Sequence, residues 1–229
     1  VDPGKMRVVD TKGIIYAERE DVDKLQFSDP WKYDLAIKTN REKIVGDIPE
    51  ALKGADVVIA MSKPGPGVIK KEWIKSMADD AIVFACANPI PEIWPWEAKE
   101  AGAKIVSTGR SDFPNQVNNS LGFPGIFRGA LDVRAKTITD EMCIAAATEL
   151  AKIAEEKGLS EDYIIPTMED WEVYPREATA VGMKAIELGL ARVKMSEDEL
   201  YETAYNTIKN ARELVHMMMR EGFIPSPPE

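Results

Sequence analysis

Histidine is nearly missing from this 229-residue chain: His216 is the only one, and cysteine occurs just twice, at Cys86 and Cys143. So few of either yield no Cys/His set with metal-ligand spacing, and a Ser/His/Asp relay would have to recruit a histidine from deep within a helical run. There His216 reads as a packed core histidine. The two cysteines sit in an apolar strand pattern and an apolar helix pattern. They read as buried thiols, not a disulfide framework, which points to a reducing, cytoplasmic setting. Long apolar runs are lacking too. The longest, Ala81 to Ala87, is far too short for a bilayer, and the start, Val1-Asp2-Pro3-Gly4-Lys5, lacks the apolar stretch of a signal peptide. Positive charge is in deficit, with 29 Lys and Arg against 39 Asp and Glu and a formal net charge of −10. That balance speaks against nucleic-acid binding, which needs basic surface to release counterions. No G-x-G-x-x-G phosphate fingerprint occurs, because Gly65-Pro66-Gly67 lacks the third glycine. Val1 is not an initiator methionine, so a processed or fragmentary record is expected.

What is present is a sequence rich enough to fill a core, 45% hydrophobic and 30% charged. Its first half alternates short apolar runs with helical patterns of about ten residues. Met6 to Asp10 reads as a strand, followed by a turn at Lys12-Gly13. Residues 18–34 read as a loop or an irregular helical stretch. Asp47-Ile48-Pro49-Glu50 carries an N-cap, an early proline and a capping glutamate, all helix-start signals. Asp56 to Met61 is a strand pattern of the kind covered on both faces. Val68 to Met77 reads as a helix, Ala81 to Ala87 as a strand, Pro91 to Ala101 as a helix and Lys104 to Ser107 as a strand. Strand–helix alternation of this kind predicts an α/β, doubly wound parallel sheet. After Arg134 the strands stop. Helices are expected over 139–158, 176–193 and 197–221, then a disordered or extended strip at Pro225-Ser226-Pro227-Pro228. The expected organisation is therefore a dinucleotide-binding region over 1–134 and a helical region over 135–229.

Three places at strand ends carry candidate chemistry. Asp10 closes a strand before a glycine turn, where an acidic residue accepts hydrogen bonds from an adenosine ribose. Position alone leaves that reading open beside a plain turn starter. A ribose-reading acid lies roughly 20 residues after its glycine loop, which here would place the first strand and the loop upstream of Val1. Ser62-Lys63-Pro64-Gly65-Pro66-Gly67 follows a strand at the edge where open parallel sheets bind ligands, and small residues there let backbone approach a ring closely. Asn88-Pro89 follows the next strand; an amide can orient a hydroxyl or carboxylate, although Asn-Pro also starts turns. The run Gly109 to Gly129 places Asn115, Gln116, Asn118 and Asn119 between glycines and prolines, which suggests a polar ligand pocket. Trp94, Trp96 and Trp171 read as packing residues.

These strings also carry a resemblance. Val83 to Ile93 (VFACANPIPEI), Thr108 to Asn119 (TGRSDFPNQVNN), Leu121 to Asp132 (LGFPGIFRGALD) and Val9 to Ile15 (VDTKGII) resemble, in order, segments of the short microbial malic enzymes. The resemblance covers residues 6 to 155. It implies a Rossmann-like sheet and the oxidative decarboxylation of L-malate to pyruvate and CO2 with NAD and Mg2+ or Mn2+. By the same resemblance, Asn88 and Asn119, with Asn118 beside them, contact malate and the nicotinamide end. Asp10 faces the ribose, and Ser62, Pro64 and Gly65 line the cofactor together with Asn88. No catalytic or metal-binding residue is assigned. The family's metal carboxylates and acid–base pair have no counterpart here, so they are expected in an N-terminal segment of the same enzyme, within a homo-oligomer. An acidic Asp10 leans towards NAD by repelling a 2′-phosphate, while Lys12 leaves NADP open. Another Rossmann dehydrogenase of amino or hydroxy acids, or a non-catalytic nucleotide-binding module, are the competing readings.

Overall fold

The computed structural model describes residues 1–225, so the expected strip beyond Pro225 lies outside the described residues. The chain divides into two compact units, Val1–Gly109 and the residues from Arg110 onward. That division falls earlier than the end of the strand patterns at Arg134. The reason is a helix, Phe123–Asp132, whose Gly129 lies directly against Ala178 and Val181 of the second unit.

In the first unit the Met6–Asp10 pattern yields only β1 (Val9–Asp10), paired antiparallel with β2 (Gly13–Ile14). The rest of that expected strand bonds to loops: Met6 O accepts from Asn40 N–H, and Val8 O from Ile15 N–H. Residues 18–34 are more regular than expected, forming α1 (Val22–Ser28) and the start of α2 (Pro30–Lys38). Asp29 caps α2 by accepting from Lys32 N–H at 3.1 Å, and Pro30 fits the first turn, where its missing N–H costs nothing. Ile15, Val22 and Ala36 close a small core around these pieces.

Helix α3 (Ile48–Leu52) begins with the expected reciprocal cap: Asp47 N–H donates to Glu50 Oε2 at 2.9 Å, and Asp47 Oδ1 accepts from Ile48 N–H at 2.8 Å. Asp47→Ala should therefore cost about 1 kcal/mol, read as a lower midpoint in urea unfolding with an unchanged slope.

Beyond it, β3 (Val57–Ala60), β4 (Ile82–Ala85) and β5 (Ile105–Thr108) form a parallel sheet in sequence order, with Val57 opposite Ile82 and Ile82 opposite Ile105. The connections contain α4 (Lys71–Ile74) and α5 (Pro95–Glu100), both shorter than their sequence patterns. Leu52, Ile74, Met77, Ala98 and Ala101 pack with Val83, Ala85 and Val106 into one core on a single face. The other face is open at β3, where Val57 is 45% and Ile59 62% exposed. The expectation that this strand is covered on both faces is thus met on one only, because none of the described elements packs over these two side chains.

The second unit is helical: α6 (Phe123–Asp132), α7 (Asp140–Lys157), α8 (Val173–Glu187) and α9 (Glu197–Arg220). Val133, Met142, Ala146, Val181, Ala185 and Leu200 form its main core. Two sequence readings change here. His216 is exposed on the outer half of α9, not packed. Cys143 of α7 is exposed as well. Among the described residues, no helix is long and apolar enough to cross a membrane.

Candidate functional site

Two loops leave the carboxyl edge of the sheet side by side. The first, residues 62–67, follows β3; its Ser62 and Pro64 are exposed, and Gly65 adopts φ 122°, a conformation that side-chain-bearing residues rarely take. A depression of about 490 Å3 lies along Lys63 to Val68. The second loop, residues 87–92, follows β4 and presents Asn88, also exposed, through a cis Asn88–Pro89 bond. The loops are fastened together by Gly65 N–H to Ile90 O at 3.2 Å and Gly67 N–H to Glu92 O at 3.1 Å. Gly109, after β5, leaves room for the amide of Asn88: a Cβ there would lie 3.2 Å from Asn88 Oδ1. Adjacent strand pairing in a parallel sheet is what brings these loops to one edge, so Ser62, Pro64, Gly65 and Asn88 form one surface. Cys86, just before Asn88, is a half-buried thiol whose pKa is pushed up by burial and then by Glu92.

Asp10 stands on its own ribbon. Its carboxylate accepts from both Arg19 terminal nitrogens at 2.9 and 2.8 Å and from Lys12 N–H at 2.9 Å, and Lys32 Nζ lies 3.1 Å away. The Arg19 hydrogen bonds hold this carboxyl well below the usual carboxylate range. The acid is therefore firmly charged, and two cations already sit against it. Arg19 and Lys32 were invisible as neighbours in the sequence, since periodicity says nothing about which loop cation folds back.

In the second unit the amide-rich run separates into different jobs. Asn115 is buried and structural, donating to Glu161 O at 2.7 Å and accepting from Ile164 N–H at 3.0 Å. Asn118 Oδ1 accepts from Ser120 N–H at 3.0 Å, capping a short 3-10 turn over Asn119–Leu121. Asn119 itself is exposed, while Gln116 is buried with its Nε2 facing no acceptor. A cap and an anchor therefore present Asn119. Among the described residues, no group of three or more His, Cys, Asp and Glu side chains is placed to hold a metal. The divalent ion implied by the resemblance does not fit any donor set among the described residues.

The family model for the malic enzyme NAD binding domain matches residues 3–186. The chain belongs to the malic enzyme family. It is 48% identical over 193 residues to the bifunctional malic/malolactic enzyme of Bacillus subtilis, covering 84% of this chain and 45% of that protein. It is 42% identical over 200 residues to the NADP-dependent malic enzyme of Halomonas elongata, covering 81% of this chain and 44% of that one. The crystal structure of Entamoeba histolytica malic enzyme matches with a TM-score of 0.93 and 51% identity, over 99% of this chain and 46% of that one. This chain thus spans less than half the length of these malic enzymes. The fold is the Rossmann-like NAD-binding fold of the family, with its helical C-terminal region.

Proposed function

We propose that the chain forms the nucleotide-binding part of an enzyme that oxidises and decarboxylates L-malate to pyruvate and CO2 while reducing NAD or NADP. The observation that carries this reading is the pair of loops at the sheet's carboxyl edge, where Ser62, Pro64 and Gly65 stand beside Asn88 in a chain of the malic enzyme family. Open parallel sheets bind nucleotides at that edge. Hydride transfer needs the malate C2–H held against the nicotinamide ring. Uncharged amides suit that task, because they orient a hydroxyl or carboxylate without titrating. We assign this role to Asn88 and Asn119, with Asn118 setting the backbone around Asn119, and the ribose contact to Asp10. Since Arg19 and Lys32 already face Asp10, the carboxylate repels a 2′-phosphate less than its charge alone suggests, and both dinucleotides are accommodated.

Mg2+ or Mn2+ and the acid–base groups are assigned to the part of the longer malic enzymes that this chain does not span, with the whole working as a cytoplasmic homo-oligomer. Held there, such an ion would supply Lewis-acid chemistry for the decarboxylation. In the intact enzyme, Asn88→Ala and Asn119→Ala should each lower kcat/KM for malate on the order of 100-fold, the scale of a lost positioning contact. Steady-state kinetics with Mn2+ and NAD check this. Unchanged turnover in both variants would favour a non-catalytic nucleotide-binding module.

A further inference from the structure

Glu92 is 0% exposed, yet it ends a loop whose tip lies in solvent. Its Oε1 accepts from Ser62 N–H at 2.8 Å and from the Ser62 hydroxyl at 3.0 Å. Its Oε2 accepts from Ala87 N–H at 3.0 Å. A single carboxyl group therefore ties the second residue after β3's end to the residue just before Asn88. Its main-chain oxygen adds Gly67 N–H at 3.1 Å and Ile69 N–H at 3.2 Å. Burying a carboxyl is costly unless its oxygens find donors, and here the donors come from both loops. Ile93 and Ala98 beside it are ordinary core, so an apolar residue at this position would fill the space but leave the two loop amides without acceptors.

We propose that Glu92 is a positioning residue of the reaction, fixing the Ser62 loop and Asn88 at one separation so that the nucleotide and the malate meet in register. The proposal rests on the reading of these loops given above. Glu92→Gln keeps the shape but turns an NH2 group towards a main-chain N–H, so one loop is released. Glu92→Asp keeps two acceptor oxygens but is one methylene too short to reach both loops.

The test uses the intact enzyme, well below the melting temperature of each variant. The expected result is a KM for NAD raised about tenfold and kcat/KM lowered 10- to 100-fold, the range seen when supporting hydrogen bonds of a site are removed. A merely structural role would instead lower the active fraction and leave KM unchanged. In the wild-type enzyme, hydrogen exchange should show the Ser62 and Ala87 amides exchanging as one unit and slowing together on addition of NAD. This measurement decides the matter even if both variants misfold. Normal KM in both Glu92 variants, or independent exchange of the two amides, would overturn the clamp. Asn88→Ala separates the two levels: a large loss there with neutral Glu92 variants sinks only the clamp, whereas neutrality throughout sinks the reading of the loops as well.

Discussion

Gly129→Ala is expected to destabilise the helical unit by about 2 kcal/mol or more, although alanine is the better helix former by roughly 1 kcal/mol. The two effects have opposite sign, and geometry decides between them. A Cβ on Gly129 would stand 2.3 Å from the carbonyl oxygen of Ala178 and 2.9 Å from Val181 Cβ. The first of these is backbone in the middle of α8, so it cannot swing away as a side-chain end would. Helices α6 and α8 must separate, and the cavity so opened adds its own cost. Gly125, one turn earlier, faces the same helix, where a Cβ would lie 2.1 Å from Glu177 Oε2. Thermal melts of the variant should show a midpoint several degrees lower for a unit of this size. An unchanged or raised midpoint would mean that the helices are not held this close in solution.

Glu177→Gln should stabilise the protein, and more so as pH rises. Glu177 is 0% exposed, and burial pushes its carboxyl up to about 8 from the ordinary 4.5. Neither oxygen makes a well-formed hydrogen bond, and the Gly125 amide offsets the burial only in part. Below pH 4.5 the folded and unfolded chains both hold the proton. Between 4.5 and 8 the unfolded chain has released it and the folded chain has not, so stability falls with rising pH and levels off above about 8. The gap converts to roughly 4 to 5 kcal/mol at full ionisation, an upper bound before the site relaxes. A glutamine of the same shape carries no such dependence. The difference in melting temperature between variant and wild type should therefore widen from pH 5 to pH 9. Parallel curves would show that Glu177 finds a partner when it ionises.

The strands of the first unit and the helices of the second were legible because each is a local pattern. Short apolar or β-branched runs bounded by turn residues made β3, β4 and β5, and Asp47 with Glu50 announced α3 within four positions. Asn88 and Ser62 were legible for a related reason: residues after consecutive parallel strands reach the same edge whatever their side chains. Glu92, Arg19 and Lys32 were not. Their importance lies in partners 30, 9 and 22 residues away, and a sequence pattern carries no information on which donor a buried acid will find. The strand at Met6 to Asp10 was overestimated because a β-branched run shows fitness for a sheet, whereas its length depends on having a neighbour to pair with. The backbone work of the amide run was not legible either. Asn115 and Asn118 serve the backbone, a use of short amides that is common in tight loops and looks identical in sequence.

The order of the sheet also bears on how the chain comes to be folded. Each strand of the β3–β4–β5 sheet pairs with the next one along the chain, so the sheet grows in the direction of synthesis through short loop closures, which are the fast ones. Its leading edge is completed by later residues as they emerge. Its trailing edge, the outer side of β3, gains nothing from that growth. Among the described residues no strand pairs with that edge, and Val57 and Ile59 lie exposed on the sheet face beside it. An unpaired edge of that kind is where two copies pair wrongly, so covering it early raises the yield of correctly folded protein.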